Sequence, residues 1–257
     1  MSNAFFAYRI CNNNMSKMIV FVLYFVNNNK KGLVKMKTTT VYKNKIFELN
    51  DYTFKVLKKS TNQKLGKKVT KGIFDNHYIF TLTLTERETC PKDCFHWETC
   101  FGNNMWRAHR ISHKDQNLLQ KRIQDDILAL NGKKALIRLH VLGDFFNVDY
   151  VKFWKFMLLM FPNIAIFGYT ANNTKSKIKL SREIATEIKK LTARFNERFA
   201  IRFSNDNSDL FSANSYDIEK PQKGISIVCP EQEGKTETCG TCGFCWTGKQ
   251  RVLFKTH

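Results

Sequence analysis

Residues 135–170, "ALIRLHVLGDFFNVDYVKFWKFMLLMFPNIAIFGYT", read as strand, turn, helix and strand in succession. In the first eight residues Ile137, Leu139 and Val141 share one face while Arg138 and His140 share the other, the period of a β-strand. Asn147 stands where a helix needs a cap, "VDYVKFWKFMLLMF" supplies the helix, and Pro162 marks its end. Two strands joined through a helix are parallel neighbours, so this stretch predicts a β/α unit.

The same alternation extends in both directions. Upstream, "YIFTLTLTE" from Tyr78 is a strand with Thr81, Thr83 and Thr85 on one face and Leu82 and Leu84 on the other. A helix from about Asp115 carries Leu119, Ile123, Ile127 and Leu130 on one stripe and closes at Asn131 and Gly132. Downstream, Ile184, Ile188, Leu191 and Phe195 line another helix, "FAIRFSN" from Phe199 is a strand, and "GISIVC" from Gly224 is one more. One face of these strands is polar: Arg138 and His140, Arg202 and Ser204, and the three threonines. A sheet buried between helices wants both faces apolar. The pattern therefore predicts a partial parallel β/α barrel around a wet cavity, over residues 77–228.

The amino-terminal part reads differently. Of 42 Lys and Arg against 22 Asp and Glu, net +20, residues 1–76 hold fifteen basic and three acidic side chains. That excess predicts attraction to a polyanion, nucleic acid above all, through this region. Residues 1–35, with the apolar run Met18–Val26, read as a poorly ordered or spurious extension, the run being too short to span a bilayer and lacking a cleavage site. No membrane partner is expected. In the basic region 36–76, "TVYKNKIFELNDYTFKVLKK" suggests a short hairpin turning at Asn50-Asp51, and residues 58–72 a mobile basic loop.

Seven of the eight cysteines form two groups, Cys90, Cys94 and Cys100, then Cys229, Cys239, Cys242 and Cys245. Clusters at such spacing in a chain this long read as metal or iron-sulfur ligands in a reducing, cytoplasmic setting, not as a disulfide framework. Three thiolates hold a 4Fe-4S cluster with one iron open; alternatively His96, His109 or His113 completes a closed Cys3His zinc site. The first group follows the first strand, at the carboxyl edge where β/α barrels place their chemistry. The next strand delivers Gly143 and Asp144 to the same edge: a glycine that lets backbone approach a ligand, and a carboxylate to receive an amino group. Tyr169 with Thr170, and Ser204 with Asn205, end the next two strands and are expected at the same mouth. The second group, in a carboxyl-terminal Cys-rich segment 229–257, copies the ligand pattern of a bacterial ferredoxin cluster and also suits zinc.

Cysteines after the first strand, a Gly-acid turn after the second and a polar-lined parallel barrel resemble the radical SAM superfamily. That resemblance implies a 4Fe-4S cluster on Cys90, Cys94 and Cys100, S-adenosylmethionine bound with the help of Leu142, Gly143 and Asp144, and an electron donor as partner. The cysteine spacing departs from the superfamily's, with three and then five intervening residues in place of three and two. More closely, "TCPKDCFHWETCFGNN", "RLHVLGDFFNVDYVKFW", "IFGYTAN" and "CGTCGFCW" resemble the phage gene product 88 family over about residues 77–250, which implies a phage or mobile-element origin and a host bacterium's cytoplasm. From the residues themselves two functions stand open: a radical SAM-like iron-sulfur enzyme on an unknown substrate, and a zinc-stabilised nucleic-acid-binding protein without catalysis.

Overall fold

Asp115 and Asn147 do what their side chains favour at a helix start: Asp115 accepts from Leu118 N at 2.9 Å and Asn147 from Tyr150 N at 2.8 Å. A computed structural model describes residues 46–105, 107–209, 211–215 and 219–255. The apolar run Met18–Val26, Cys11 and the proposed extension 1–35 lie outside these residues.

In chain order the elements are β1 (Ile46–Phe47), β2 (Lys58–Lys59), β3 (Tyr78–Thr81), α1 (Glu86–Thr89), a 3-10 turn (Phe101–Asn104), β4 (Arg110–Ile111), α2 (Gln116–Leu128), β5 (Ala135–Leu139), α3 (Val148–Met160), β6 (Ile164–Thr170), α4 (Lys179–Arg194), β7 (Phe199–Ser204), β8 (Ser212–Ser215), β9 (Ser226–Val228), α5 (Cys239–Cys242), α6 (Phe244–Thr247) and β10 (Arg251–Phe254). Eight strands form one sheet in the order β2-β3-β5-β6-β7-β8-β10-β9. Every neighbouring pair is parallel except β2 with β3.

From β3 to β7 each new parallel strand is added on the same side of the last. Right-handed crossovers then put α2, α3 and α4 on a single face. There Leu119, Ile123 and Ile127 of α2, Trp154 and Met157 of α3 and Ile184 and Ile188 of α4 pack with Ile137, Ile166, Ile201 and Phe203 of the strands.

The opposite face corrects the barrel expectation. The sheet is open, with β2 at one edge and β9 at the other. Among the described residues its second face is packed: Ile79, Leu136, Ala165, Phe167 and Ala200 lie there with Leu65, Val69 and Phe74 and with Cys229, Cys245 and Trp246. Arg138 on this face stacks over Phe167 and Tyr169, and Arg202 is absorbed by the chain that covers it. Arg202 is fully buried and spends its five N–H groups on the carbonyls of Cys245, Ser212, Gln250, Phe244 and Gly248, at 2.6 to 3.3 Å. His140 leaves the strand alternation, its Nε2 lying 3.1 Å from the Tyr150 hydroxyl on the helix side.

Two further expectations, both in the basic amino-terminal region, differ from the structure, the first because lone apolar residues among lysines find a face to cover. Residues 58–72 are not a mobile loop: Leu65 and Val69 are buried, and Ser60 N and Val69 N donate to Ile79 O and His77 O. Residues 40–45 of the expected hairpin lie outside the described residues; among the described ones no pairing across Asn50-Asp51 is present, β1 pairing with β4 and β2 with β3.

Candidate functional site: two groups of free thiols

The first group is built on the connection after β3. Thr85 precedes α1, Cys90 closes α1 with its N–H on Glu86 O, Cys94 sits in a turn on Pro91 O, and Cys100 opens the 3-10 turn. A buried ion pair pins the segment: Arg110 Nε and Nη2 each reach a Glu86 carboxylate oxygen at 2.7 Å, and Arg110 also donates to the carbonyls of Gly102, Met105 and Ala108. The three thiols are half-exposed and free. Burial, and then Asp144, Cys94 and Cys100, push the Cys90 thiol up; burial and then Asp144 and Cys100 push Cys94 up to about 11, against a backbone hydrogen bond from His96. The three thiols and Asp144 therefore lie within electrostatic reach of one another.

The Gly143-Asp144 turn abuts this segment. Gly143 has φ +85°, and a Cβ there would come within 2.8 Å of Leu84 Cβ and Thr89 Oγ1, so only glycine fits. Asp144 N donates to Thr89 Oγ1 at 3.2 Å. The Asp144 carboxylate is buried and accepts from Phe145 N, the Thr170 hydroxyl and Ala171 N at 2.6 to 2.7 Å. Burial outweighs these donors and raises its pKa to about 6. Asp144 thereby ties the ends of β5 and β6 together beside Cys90.

The remaining predicted residues divide. Thr170 joins Asp144, whereas Tyr169 points the other way and donates its hydroxyl to Cys245 Sγ at 3.0 Å. Ser204 ends β7, half-buried, and the adjacent Asn205 meets His96 Nε2 at 3.0 Å, linking that strand end to the thiol segment. None of the three histidines closes the first group: His96 is turned to Thr99 and Asn205, His109 to Lys58, and His113 to Thr85 and Glu88. Sequence reading missed the Glu86–Arg110 pair and Thr89, whose only signal is hydrophilic residues flanking a cysteine loop. It also missed the divergence of Tyr169 from Thr170, which strand alternation foretells.

The second group lies under the sheet. Cys229 N donates to Leu253 O, Cys239 N to Lys64 O and Gly240 N to Leu65 O, so the segment is seated on both β10 and residues 64–70. Gly240 is needed there, because a Cβ would meet Lys68 O at 2.4 Å. Thr238 and Thr241 cap α5 reciprocally. Burial, then Cys245 and Cys229, raise Cys239 to about 12. Burial likewise raises Cys245, against the Arg202 charge and the Tyr169 hydroxyl.

Among the described residues no group of three or more His, Cys, Asp or Glu side chains is arranged to hold a metal ion, and this is true of both thiol groups. The donor chemistry nonetheless fits a thiophilic centre: each group consists of free thiols, neighbouring thiols help push up Cys90 and Cys94 in the first and Cys239 and Cys245 in the second, and a multivalent cation would reverse that opposition. Nor is any helix among the described residues long and apolar enough to cross a membrane.

Fold and sites together define an open, singly wound α/β protein with one thiol group on the carboxyl rim of its sheet and one beneath it. Residues 55–248 match the family model described as gene product 88, and the chain belongs to that family. The match contains all seven cysteines of the two groups. The gene 88 proteins of Mycobacterium phages L5 and D29 are each 25% identical to it, over 54% of this chain and 63% of their own length, in keeping with the expected phage origin. The chain thus spans less than two thirds of these relatives. No solved structure matches. The radical SAM resemblance finds no counterpart among these matches.

Proposed function

We propose that this gene product 88 protein is a two-centre metal-thiolate protein. In this reading Cys90, Cys94 and Cys100 hold a 4Fe-4S cluster with one iron left to an exogenous ligand, and Cys229, Cys239, Cys242 and Cys245 hold a closed centre, 4Fe-4S or zinc. The observation that carries the reading is the packing of the Gly143-Asp144 turn on the residue before Cys90, through Asp144 N and Thr89 Oγ1 at 3.2 Å. When bound, an open iron supplies a coordination site for an amino-acid-like ligand, with S-adenosylmethionine the one to test. The chain's own part is to position: Thr170, Phe145 N and Ala171 N orient the Asp144 carboxylate, and Gly143 keeps the turn against the thiol segment. A radical SAM-like reaction extends this proposal. It rests on the order of motifs along the sheet and draws no support from the relatives.

The test is iron, sulfide and zinc per chain in protein purified without oxygen. Cys90→Ala is expected to remove about four irons, and Cys242→Ala to empty the other centre alone. Dithionite with S-adenosylmethionine should then release 5'-deoxyadenosine. Zinc without iron at both centres would replace this reading with a zinc-stabilised nucleic-acid-binding protein, which the net charge of +20 favours.

A further inference from the structure

We infer that the cleft beside Cys90 receives one base of a single-stranded nucleic acid whose phosphates lie along residues 171–182. This deepens the proposed function by naming a substrate class, and it rests on that reading only for what the base is presented to.

The cleft has a volume of about 180 Å³ and lies between the Cys90 segment and the start of α4, with Cys90, Lys92, Phe145, Phe146 and Asn172 in its wall and Leu180 at its mouth. Sites for whole small molecules run to roughly 300–1,000 Å³, so this space suits a single flat ring. Its lining of two phenylalanines with Leu180, 44% exposed, is apolar enough to take a π-face.

The adjoining segment supplies the charge. Residues 171–182, "ANNTKSKIKLSR", carry Lys175, Lys177, Lys179 and Arg182 and no acidic residue. The three lysines are exposed. Ser176 holds the segment against the thiol loop by donating to Asp93 Oδ2 at 2.5 Å, and Arg182 shapes it by donating to Ser176 O and Lys177 O. Lys179 faces Glu183 at 3.8 Å, an exposed pair of little consequence. A ring-sized, mainly apolar slot, with Glu88 also in its wall and exposed lysines along its border, matches the requirements of a strand with one base unstacked: phosphates neutralised by cations and the ring stacked on apolar surface. A paired base could not enter without leaving its duplex.

Fluorescence anisotropy on the full chain, with a labelled short single strand, the matching duplex and a base-free strand, tests this. The single strand should bind more tightly than either of the others. The double variant Lys175→Glu, Lys177→Glu should weaken it by at least about tenfold. Leu180→Ser, which removes apolar surface without adding charge, should weaken the single strand while leaving the base-free strand unchanged. Affinity unchanged in both variants, or a preference for duplex, would overturn the inference and leave binding to the amino-terminal basic region. Iron is measured on the same preparations, so that loss of strand binding with iron present fails this inference alone, and binding without iron fails only the proposed cluster.

Discussion

The two thiol groups sit on the same sheet and differ in what holds them. The rim group hangs on loops and one buried ion pair, with half-exposed thiols and a turn packed beside it. The group beneath the sheet is woven into the core: Cys229 and Cys245 are buried while Cys239 and Cys242 are half-exposed, Trp246 packs on Phe167, and Arg202 gathers four carbonyls in and just after α6. Thiols on a pinned loop suit exchange with a ligand, while a group with two of its four thiols buried and its chain joined to strands suits a staple. The contrast can be attacked by substitution from either side.

The largest effect is expected from Arg202→Met. It leaves several buried carbonyls without donors and should cost at least about 4 kcal/mol, read as a lower urea midpoint for the whole chain. A loss below 1 kcal/mol would mean that the covering segment is not integral to the core. Next comes Glu86→Gln, the corresponding break at the rim, where the Arg110 guanidinium loses its buried carboxylate at a cost of about 3 kcal/mol. Here the expected readout is early proteolytic cleavage within residues 86–110 while the sheet remains protected. Global unfolding in step with that cleavage would erase the distinction between the two regions.

How far the sequence foretold this arrangement depends on how each residue's environment is encoded. The helices α2, α3 and α4 were legible because caps and apolar stripes are local, as Asp115 and Asn147 show. The polar strand face was legible as a pattern and misread as a wet cavity, because what covers it is distant in sequence: Leu65 and Val69 stand alone among lysines, and Arg202 is satisfied by main chain more than forty residues away. The strand β8, "SANS", gave no signal, since three of its four residues are polar and yet all four are buried. At the site, Gly143, Asp144 and Thr170 converge as the strand ends imply, and Tyr169 does not.

Acid response separates the turn from its surroundings. His140 is buried and its pKa falls to about 3, through burial and then the Arg138 charge, from an ordinary value near 6.5. The unfolded chain alone takes up that proton as pH drops, so this contribution is present above 6.5 and lost on the way down to 3. Asp144 works in the opposite sense: raised to about 6, it favours the folded state below the ordinary carboxylate value and loses that contribution as pH rises through 6. Asp144→Asn should therefore unmask the histidine, and that variant should lose roughly 2 kcal/mol between pH 7.5 and 5 while the wild type changes less. Equal pH slopes in thermal unfolding of the two proteins would show that the pair does not offset.

The smallest change is the most pointed. Tyr169→Phe removes the hydroxyl that donates to Cys245 Sγ and keeps the ring on which Arg138 stacks at 4.3 Å. One hydrogen bond to sulfur should cost about 1 kcal/mol. Since adjacent strand residues face opposite sides, the damage should stay with the covered group. If the two centres are loaded as proposed, metal at the second should be lost more readily to a chelator in this variant, and iron at Cys90, Cys94 and Cys100 should not change. Were the rim to lose its iron instead, Tyr169 would act across the sheet, and the two groups would have to be treated as one coupled site joined through β6.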